Sequence, residues 1–142
     1  MDYYSRSHCA TGRQYNEVIN RNCKLMPIKA KNLRNGCWLA DNVQIASSLF
    51  SKGKGLLGKK SIPDGYGLLI RDCNSIHSFF MAFPFDAIFL DKDNTVIHII
   101  NAMPASRISP ILRKSSCVLE LPAGKAQETM TSIGDIIELV KE

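Results

Sequence analysis

The chain has 142 residues, of which 45% are hydrophobic and 22% charged, a composition typical of one globular domain with a single core. No apolar run is long enough to span a membrane, and the N-terminus lacks the apolar stretch of a signal peptide, so we expect a soluble cytoplasmic protein. The net charge of +5 is uneven, because residues 1–60 hold 11 Lys and Arg against 3 Asp and Glu, whereas residues 61–142 hold 7 against 10. This imbalance permits contact with nucleic acid but does not require it.

The five cysteines lie far apart, with no Cys-x-x-Cys pair and no Cys/His cluster at the spacing of a zinc site. We therefore predict no metal site, and no motif predicts a cofactor. An odd number of cysteines fits a reducing compartment, where a buried Cys behaves as a small hydrophobic residue.

Residues 1–22 are rich in Ser, Asn, Arg and Tyr and show no strand or helix period, so we predict a flexible tail followed by one domain over residues 23–142. The first element of the domain is a candidate hairpin. Leu25–Lys31 and Cys37–Ala46 are compatible with strands, and Asn35-Gly36 between them suits a tight turn, although Pro27 weakens the first strand.

A short helix is predicted next, with Ser47 or Ser48 as its N-cap. The segment Gly53–Lys60 at its end nearly matches the phosphate-binding loop G-x-x-x-x-G-K-[S/T]. Lys60 stands where that loop needs a hydroxyl group for Mg²⁺, and the turn at 63–65 ends any helix that should follow. We therefore interpret the segment as a glycine-containing helix end with solvated lysines.

The remaining residues read as short apolar strands separated by turns and by a long connection over residues 102–116. About seven short strands with one or two short helices predict a mainly β (β-rich α+β) fold, a small barrel-like or strongly bent antiparallel or mixed sheet, because closure hides sheet edges. The predicted elements are strands Gly67–Ile70, His77–Met81, Phe85–Leu90, Thr95–Ile100, Cys117–Leu121 and Ile136–Val140, and one or two helical turns over Lys125–Ser132.

Residues 87–96, which read AIFLDKDNTV, spell the strand and Asp-x-Asp-x-Thr signature of haloacid-dehalogenase-like phosphatases. In such an enzyme Asp91 and Asp93 would be the nucleophile and the acid/base around Mg²⁺. That chemistry needs several further strand-plus-helix units of about thirty residues each. Only 47 residues follow Thr95, so we predict instead a β-hairpin with Asp93-Asn94 at its tip.

His77 alternates with Phe79 and Met81, so a strand would point these three side chains to one face. A histidine on that face is either a core residue bonded to a backbone carbonyl or a titrating group at the mouth of a pocket. We favour the structural role, because no second ligand or base lies beside it in sequence.

Two carboxylates interrupt apolar strands. Asp86 lies within MAFPFDAIFL, where it must cap backbone N–H groups, meet a cation such as Arg71 or Arg107, or line a wet pocket, and we favour capping. Glu120 presents the same choice within VLEL. If both acids reached one concavity, they would form a general acid/base pair.

The chain carries, in this order, the segments GLLGKKSIPDGYGLLI, IHSFFMAFPFDAIFLDKDNTVIHI, a proline-containing connection, VLELPAG and a final GD. Over about residues 28–140, the order and spacing of these segments resemble the bacterial and archaeal family called domain of unknown function 192. The resemblance implies a compact β-rich domain, a hairpin tip at residues 91–94 and a helix end at residues 53–60. It carries no established catalytic residues.

The chain departs from the family pattern at two positions. Ala82 follows Met81 where family members commonly have Arg, so any pairing that this Arg makes would fall to Arg71 or Arg107. Asn94 stands where the hairpin commonly has Gly, and Asn can also adopt the left-handed turn conformation.

We therefore predict a non-enzymatic accessory or binding module that presents a small groove to a peptide, a protein or a small ligand. One alternative is a small hydrolase or transferase that uses Asp86 and Glu120 as acid/base partners, with His77 assisting. A second is nucleic-acid contact through Arg21, Lys24, Lys29, Lys52, Lys54, Lys59 and Lys60. The predicted groove residues are His77, Phe79, Met81, Asp86, Glu120, Gly124 and Arg71.

Overall fold

The computed structural model describes residues 2–4, 28–46, 61–79 and 81–141. The predicted short helix after Ser48 and the segment Gly53–Lys60 lie outside these residues. The described residues form strands β1 (Asp2–Tyr4), β2 (Ile28–Asn32), β3 (Trp38–Ala46), β4 (Tyr66–Arg71), β5 (Phe85–Leu90), β6 (Val96–Met103), β7 (Cys117–Pro122) and β8 (Ile137–Lys141), with one helical turn, α1 (Lys125–Glu128).

These strands form one mixed sheet in the order β1-β8-β2-β3-β4-β7-β5-β6. Only the β3–β4 pair is parallel among the described strands. The sheet curls into a half-barrel, so the predicted mainly β fold is confirmed. Curling brings the start of β6 to the start of β8, where the Val96 N–H donates to the Asp135 carbonyl at 2.8 Å and the Ile137 N–H to the Asn94 carbonyl at 3.0 Å.

Alternation of side chains along the strands produces two apolar clusters, one on each face of the sheet. The inner cluster draws residues from β2 to β8 and from α1, including Leu69, Ile88 and Leu119, so it fills the concave side. The outer cluster is formed by β4, β5, β7, the ends of β3 and β6, and the connections 72–84 and 104–116, and it includes Ile70 and Phe89. The side chains of β5, and those of β7 from Cys117 to Leu121, are therefore buried whichever way they point.

The first predicted hairpin is confirmed, since β2 and β3 pair antiparallel around a turn in which Gly36 has a φ of +74°. Its turn is tied to the start of β8 by a polar network. The Asn32 amide and the Arg34 guanidinium donate to the Asp135 carboxylate at 2.8 and 2.6 Å. These bonds, that from Arg34 above all, lower the pKa of Asp135 to about 2.

The acidic decapeptide forms the predicted hairpin, and not the strand-to-loop edge of a phosphatase. β5 and β6 pair antiparallel on either side of it. The Asp91 carboxylate accepts hydrogen bonds from the Asp93 and Thr95 N–H groups at 2.8 and 2.9 Å, while Asn94 adopts a left-handed φ of +60°. Asp91 therefore closes the turn in the manner of an Asx turn.

Asn94 gives the first testable prediction, because its amide nitrogen and oxygen are buried with no hydrogen-bond partner among the described residues. Asn94→Gly removes both polar atoms and suits the positive φ, so it should raise the free energy of unfolding by about 1 kcal/mol. Urea denaturation measures this change. The matched control is the exposed Asp93, for which substitution by Gly should lower stability. A less stable Asn94→Gly protein would contradict the prediction.

One predicted strand is wrong. The described residues of this segment, His77–Phe79 and Met81, do not join the sheet, and among them only His77 forms an isolated bridge, to Ile108. The connection over residues 72–84 instead packs on the connection over residues 104–116, because the Ser78 hydroxyl is held by the Pro104 carbonyl at 2.5 Å and accepts the Arg107 N–H at 2.9 Å. These local bonds replace the ladder bonds of a strand.

The cysteines of the described residues do not all behave as predicted. Cys37 is a half-buried free thiol. Cys117, fully buried on β7, is disulfide-bonded, so it is more than a small hydrophobic residue of the core.

Candidate functional site

Asp86 is a structural cap. Its side chain lies on β5 with no exposed surface. One carboxylate oxygen accepts the N–H groups of Ala102 and Gly124 at 2.8 and 3.1 Å, and the other accepts that of Ala126 at 2.8 Å. Gly124, at the N-cap of α1, has no side chain to satisfy these donors, so Asp86 takes the place of a capping residue. The favoured capping role of Asp86 is confirmed.

Glu120 has a different environment. It lies on β7 between β4 and β5, directly opposite Leu68 on one side and Ala87 on the other. Its side chain therefore points to the outer face and is only 5% exposed. Within the described part of the chain no hydrogen bond or ion pair is formed by its carboxyl group, and burial raises the pKa of Glu120 to about 8.

The two acids therefore do not form the predicted general acid/base pair. Asp86 is opposite Leu121 on β7, and Glu120 is opposite Ala87, the residue that follows Asp86 on β5. Neighbouring residues of a strand point to opposite faces, so the Asp86 and Glu120 carboxyl groups lie on opposite sides of the sheet. No water or substrate group can bridge them there.

The predicted groove residues divide between the two faces. Met81 packs against the outer cluster, on the same side as Glu120. His77 and Phe79 lie on the same connection as Met81, with their rings stacked at a centroid distance of 5.3 Å and both side chains exposed. Their exposure argues against the favoured core role for His77.

The other predicted groove residues belong to the inner side. Asp86 and Gly124 meet each other at the start of α1. Arg71 is buried on β4 opposite Cys117, two residues from Leu69 of the inner cluster, so alternation directs it away from Glu120. Neither Arg71 nor Asp86 therefore shares a face with Glu120.

Several residues of the Glu120 face were not predicted from the sequence. Leu68 and Ala87 flank Glu120, and Met103 and Phe83 belong to the same cluster. Their identity depends on the order of strands β4-β7-β5, which joins segments about thirty to fifty residues apart in the chain. Alternation along β7 predicts that Glu120 points to the opposite face from Leu119 and Leu121. It does not identify the residues that flank Glu120 on the neighbouring strands.

The described residues hold no group of three or more His, Cys, Asp or Glu side chains suited to a metal ion. None of their helices is long and apolar enough to cross a membrane. Of the basic residues predicted to contact nucleic acid, only Lys29 lies among them, and its ammonium stands 5.7 Å from the centroid of the Trp38 ring.

Comparison with known proteins gives a family and a fold. The profile of the domain of unknown function 192 family, described as "Uncharacterized ACR", matches residues 30–139. A protein of unknown function from Novosphingobium aromaticivorans DSM 12444 has a similar structure, with a TM-score of 0.68 at 20% identity, covering 78% of this chain and 82% of that one.

A second solved structure is similar to the same extent. It is a "putative transcription regulator" from Sinorhizobium meliloti 1021, with a TM-score of 0.68 at 22% identity, covering 79% of this chain and 91% of that one. No curated protein matches the chain. Likeness at these identities concerns the fold alone.

Proposed function

This chain belongs to the domain of unknown function 192 family, and from that premise we propose that it is a non-enzymatic binding module. Its site is the outer face of the sheet around Glu120. One observation supports the proposal most strongly: a carboxyl group that is 5% exposed at the centre of an apolar face, with no hydrogen-bond or ionic partner among the described residues.

Such a carboxyl group is costly to the fold. Leaving a buried polar group without a partner lowers stability by about 1–3 kcal/mol, and more when the group is charged. Asp86 shows that the same sheet can satisfy a buried carboxylate fully, with three backbone donors. A buried carboxyl group with a perturbed pKa in apolar surroundings is a candidate ligand contact, because a ligand can supply the partner that the protein does not.

The surroundings of Glu120 suit binding better than catalysis. The outer cluster provides an apolar wall, to which Met81 and Phe83 are attached from the connection over residues 72–84. The Asp86 carboxylate, the other member of the acid/base alternative, lies on the opposite face and is engaged by backbone donors. A single carboxyl group can orient a ligand but cannot act as both general acid and general base in one step.

Methionine methyl groups provide a direct test. We expect ligands drawn from a mixture of small molecules and short peptides to shift the ¹³C-methyl NMR signals of Met81 and Met103, which belong to the outer cluster. Met130 is 63% exposed beside the turn of the first hairpin and serves as an internal control. If ligands shift Met130 while the Met81 and Met103 signals stay fixed, the proposed site is wrong.

A second candidate function rests on an aromatic residue between lysines. Trp38 is 46% exposed on β3, and the ammonium groups of Lys31 and Lys29 lie 5.2 and 5.7 Å from its ring centroid. Exposed aromatic rings beside cations bind single-stranded nucleic acid by stacking and by phosphate contact. The similarity in fold to a "putative transcription regulator" is compatible with this role.

Trp38 is the only tryptophan, so its fluorescence tests this candidate without interference. Addition of an oligothymidylate should quench the fluorescence, and the affinity should fall steeply as salt is raised. Lys31→Ala should weaken binding and reduce the salt dependence, whereas the matched change Lys92→Ala at the β5–β6 turn should not. Unchanged fluorescence, or binding that salt does not affect, would remove this candidate.

A further inference from the structure

We infer that the Glu120 site takes an organic cation, an ammonium or guanidinium group carried on a hydrocarbon body. The inference rests on the binding function proposed above and names the class of its ligand. It is drawn from the position of Glu120, from the size of its neighbours and from the absence of cationic side chains on the same face of the adjoining strands.

Glu120 lies on β7, and two strands, β5 and β6, lie between it and the nearer edge of the sheet. On one side it faces Leu68, and on the other Ala87, whose side chain is a single methyl group. Beyond Ala87 the next strand presents Ile100, which is only half-buried. Ala87 therefore presents only a methyl group to this side of Glu120, where a Leu or Phe would present a larger side chain.

The described strands beside Glu120 carry no Lys or Arg on this face. Along β4, β5 and β6 the outer face carries titratable side chains only at a distance along the strand, namely Tyr66, Asp72, Asp91 and His98. His98 packs edge-on against Phe89 at 5.7 Å, and His77 stacks on Phe79. None of these strand residues is a Lys or Arg. The described connection over residues 104–116, which also packs on this face, carries Arg107, Arg113 and Lys114, and all three are exposed to solvent.

A glutamate at this position has one property that a glutamine lacks. Glutamine has the same shape and can donate and accept hydrogen bonds, so it would serve a neutral ligand equally well at no cost in ionisation. Only glutamate can become an anion and balance a buried positive charge. The apolar wall formed by Ile70, Phe85 and Met103 would then receive the hydrocarbon part of the ligand.

Four probes of equal chain length separate the possible ligand classes: hexylammonium, hexylguanidinium, hexanol and hexanoate. We expect the two cations to shift the Met81 and Met103 methyl signals of the native protein, with the neutral and anionic probes much weaker. In Glu120→Gln the binding of both cations should fall by about 100-fold, because a buried cation would lack its counter-charge. Glu138→Gln, which removes the same charge from β8, should bind like the native protein.

The pH dependence provides a second, independent readout. The affinity for hexylammonium should rise by up to about tenfold per pH unit between pH 6 and 8, because the cation binds the ionised form of Glu120. Hexanol binding should not change with pH. If hexanol matches the cations in both native and Glu120→Gln proteins, the site binds apolar ligands and only the inference fails. If no probe shifts either methyl signal, the inference is also overturned, while the proposed function is judged by its own ligand mixture.

Discussion

Asp86→Ala is expected to lower the free energy of unfolding by about 4 kcal/mol or more, a large part of the roughly 5–15 kcal/mol that stabilises an ordinary domain. The carboxylate accepts three backbone N–H groups, from Ala102, Gly124 and Ala126, in a position with no exposed surface. Alanine leaves all three donors without a partner at the junction of β5, β6 and α1. Urea denaturation monitored by circular dichroism gives the free energy of unfolding.

Asp86→Asn separates hydrogen bonding from charge and supplies the matched control. The remaining amide oxygen can still accept the bonds from Ala102 and Gly124, so this variant should lose about half as much stability. Asp93→Ala at the exposed tip of the hairpin should change stability by no more than about 0.5 kcal/mol. A loss below about 1 kcal/mol for Asp86→Ala would show that these three bonds do not hold the end of the sheet together.

The second large effect concerns Glu120 and pH. Burial raises the pKa of Glu120 from 4.5 to about 8, so between these values the folded state keeps a proton that the unfolded state has released. Stability therefore falls as pH rises through this window, which is the reverse of the behaviour of a salt-bridged carboxylate. The total loss between pH 4.5 and 8 is on the order of 4 kcal/mol.

Glu120→Gln should remove this pH dependence. The amide does not ionise, so the variant should be more stable than the native protein at pH 8, by on the order of 3 kcal/mol, and nearly equal to it at pH 4.5. Chemical denaturation at a series of pH values measures the difference, with the exposed Glu128→Gln as the control that keeps the native slope. A Glu120→Gln protein that loses stability at pH 8 would contradict this account of Glu120.

A gain in stability from Glu120→Gln would have a functional meaning. Natural proteins keep destabilising residues mainly where a ligand or a reaction requires them. The Glu120→Gln protein is then expected to fold better and to bind less, and the two measurements together distinguish a binding residue from a tolerated defect in the core.

Much of the architecture follows from local sequence patterns. Asp91 and Asn94 identify a turn because a short carboxylate can accept backbone N–H groups, and Asn tolerates a positive φ. The apolar runs of β5 and β7 predict central strands because both of their faces are buried. These features depend only on residues near one another in the chain.

The arrangement of the site could not be predicted in the same way. Whether Asp86 and Glu120 share a face depends on the register of β5 against β7, which is set by packing between segments more than thirty residues apart. The segment around Ser78 shows the alternation of a strand at His77, Phe79 and Met81. Hydrogen bonds between the Ser78 hydroxyl and the backbone of Pro104 and Arg107 hold this segment outside the sheet. The periodicity of a sequence predicts the conformation of one segment, whereas a functional site depends on which segments come together in the fold.

The most direct measurement is an NMR titration of the Glu120 carboxyl carbon, assigned by its disappearance in Glu120→Gln. We expect a midpoint near pH 8 in the protein without ligand, and a midpoint that moves to lower pH when hexylammonium is added. A midpoint near the ordinary value of 4.5, with or without the cation, would mean that Glu120 is well solvated, and the outer face would then have no buried acid for a ligand to engage.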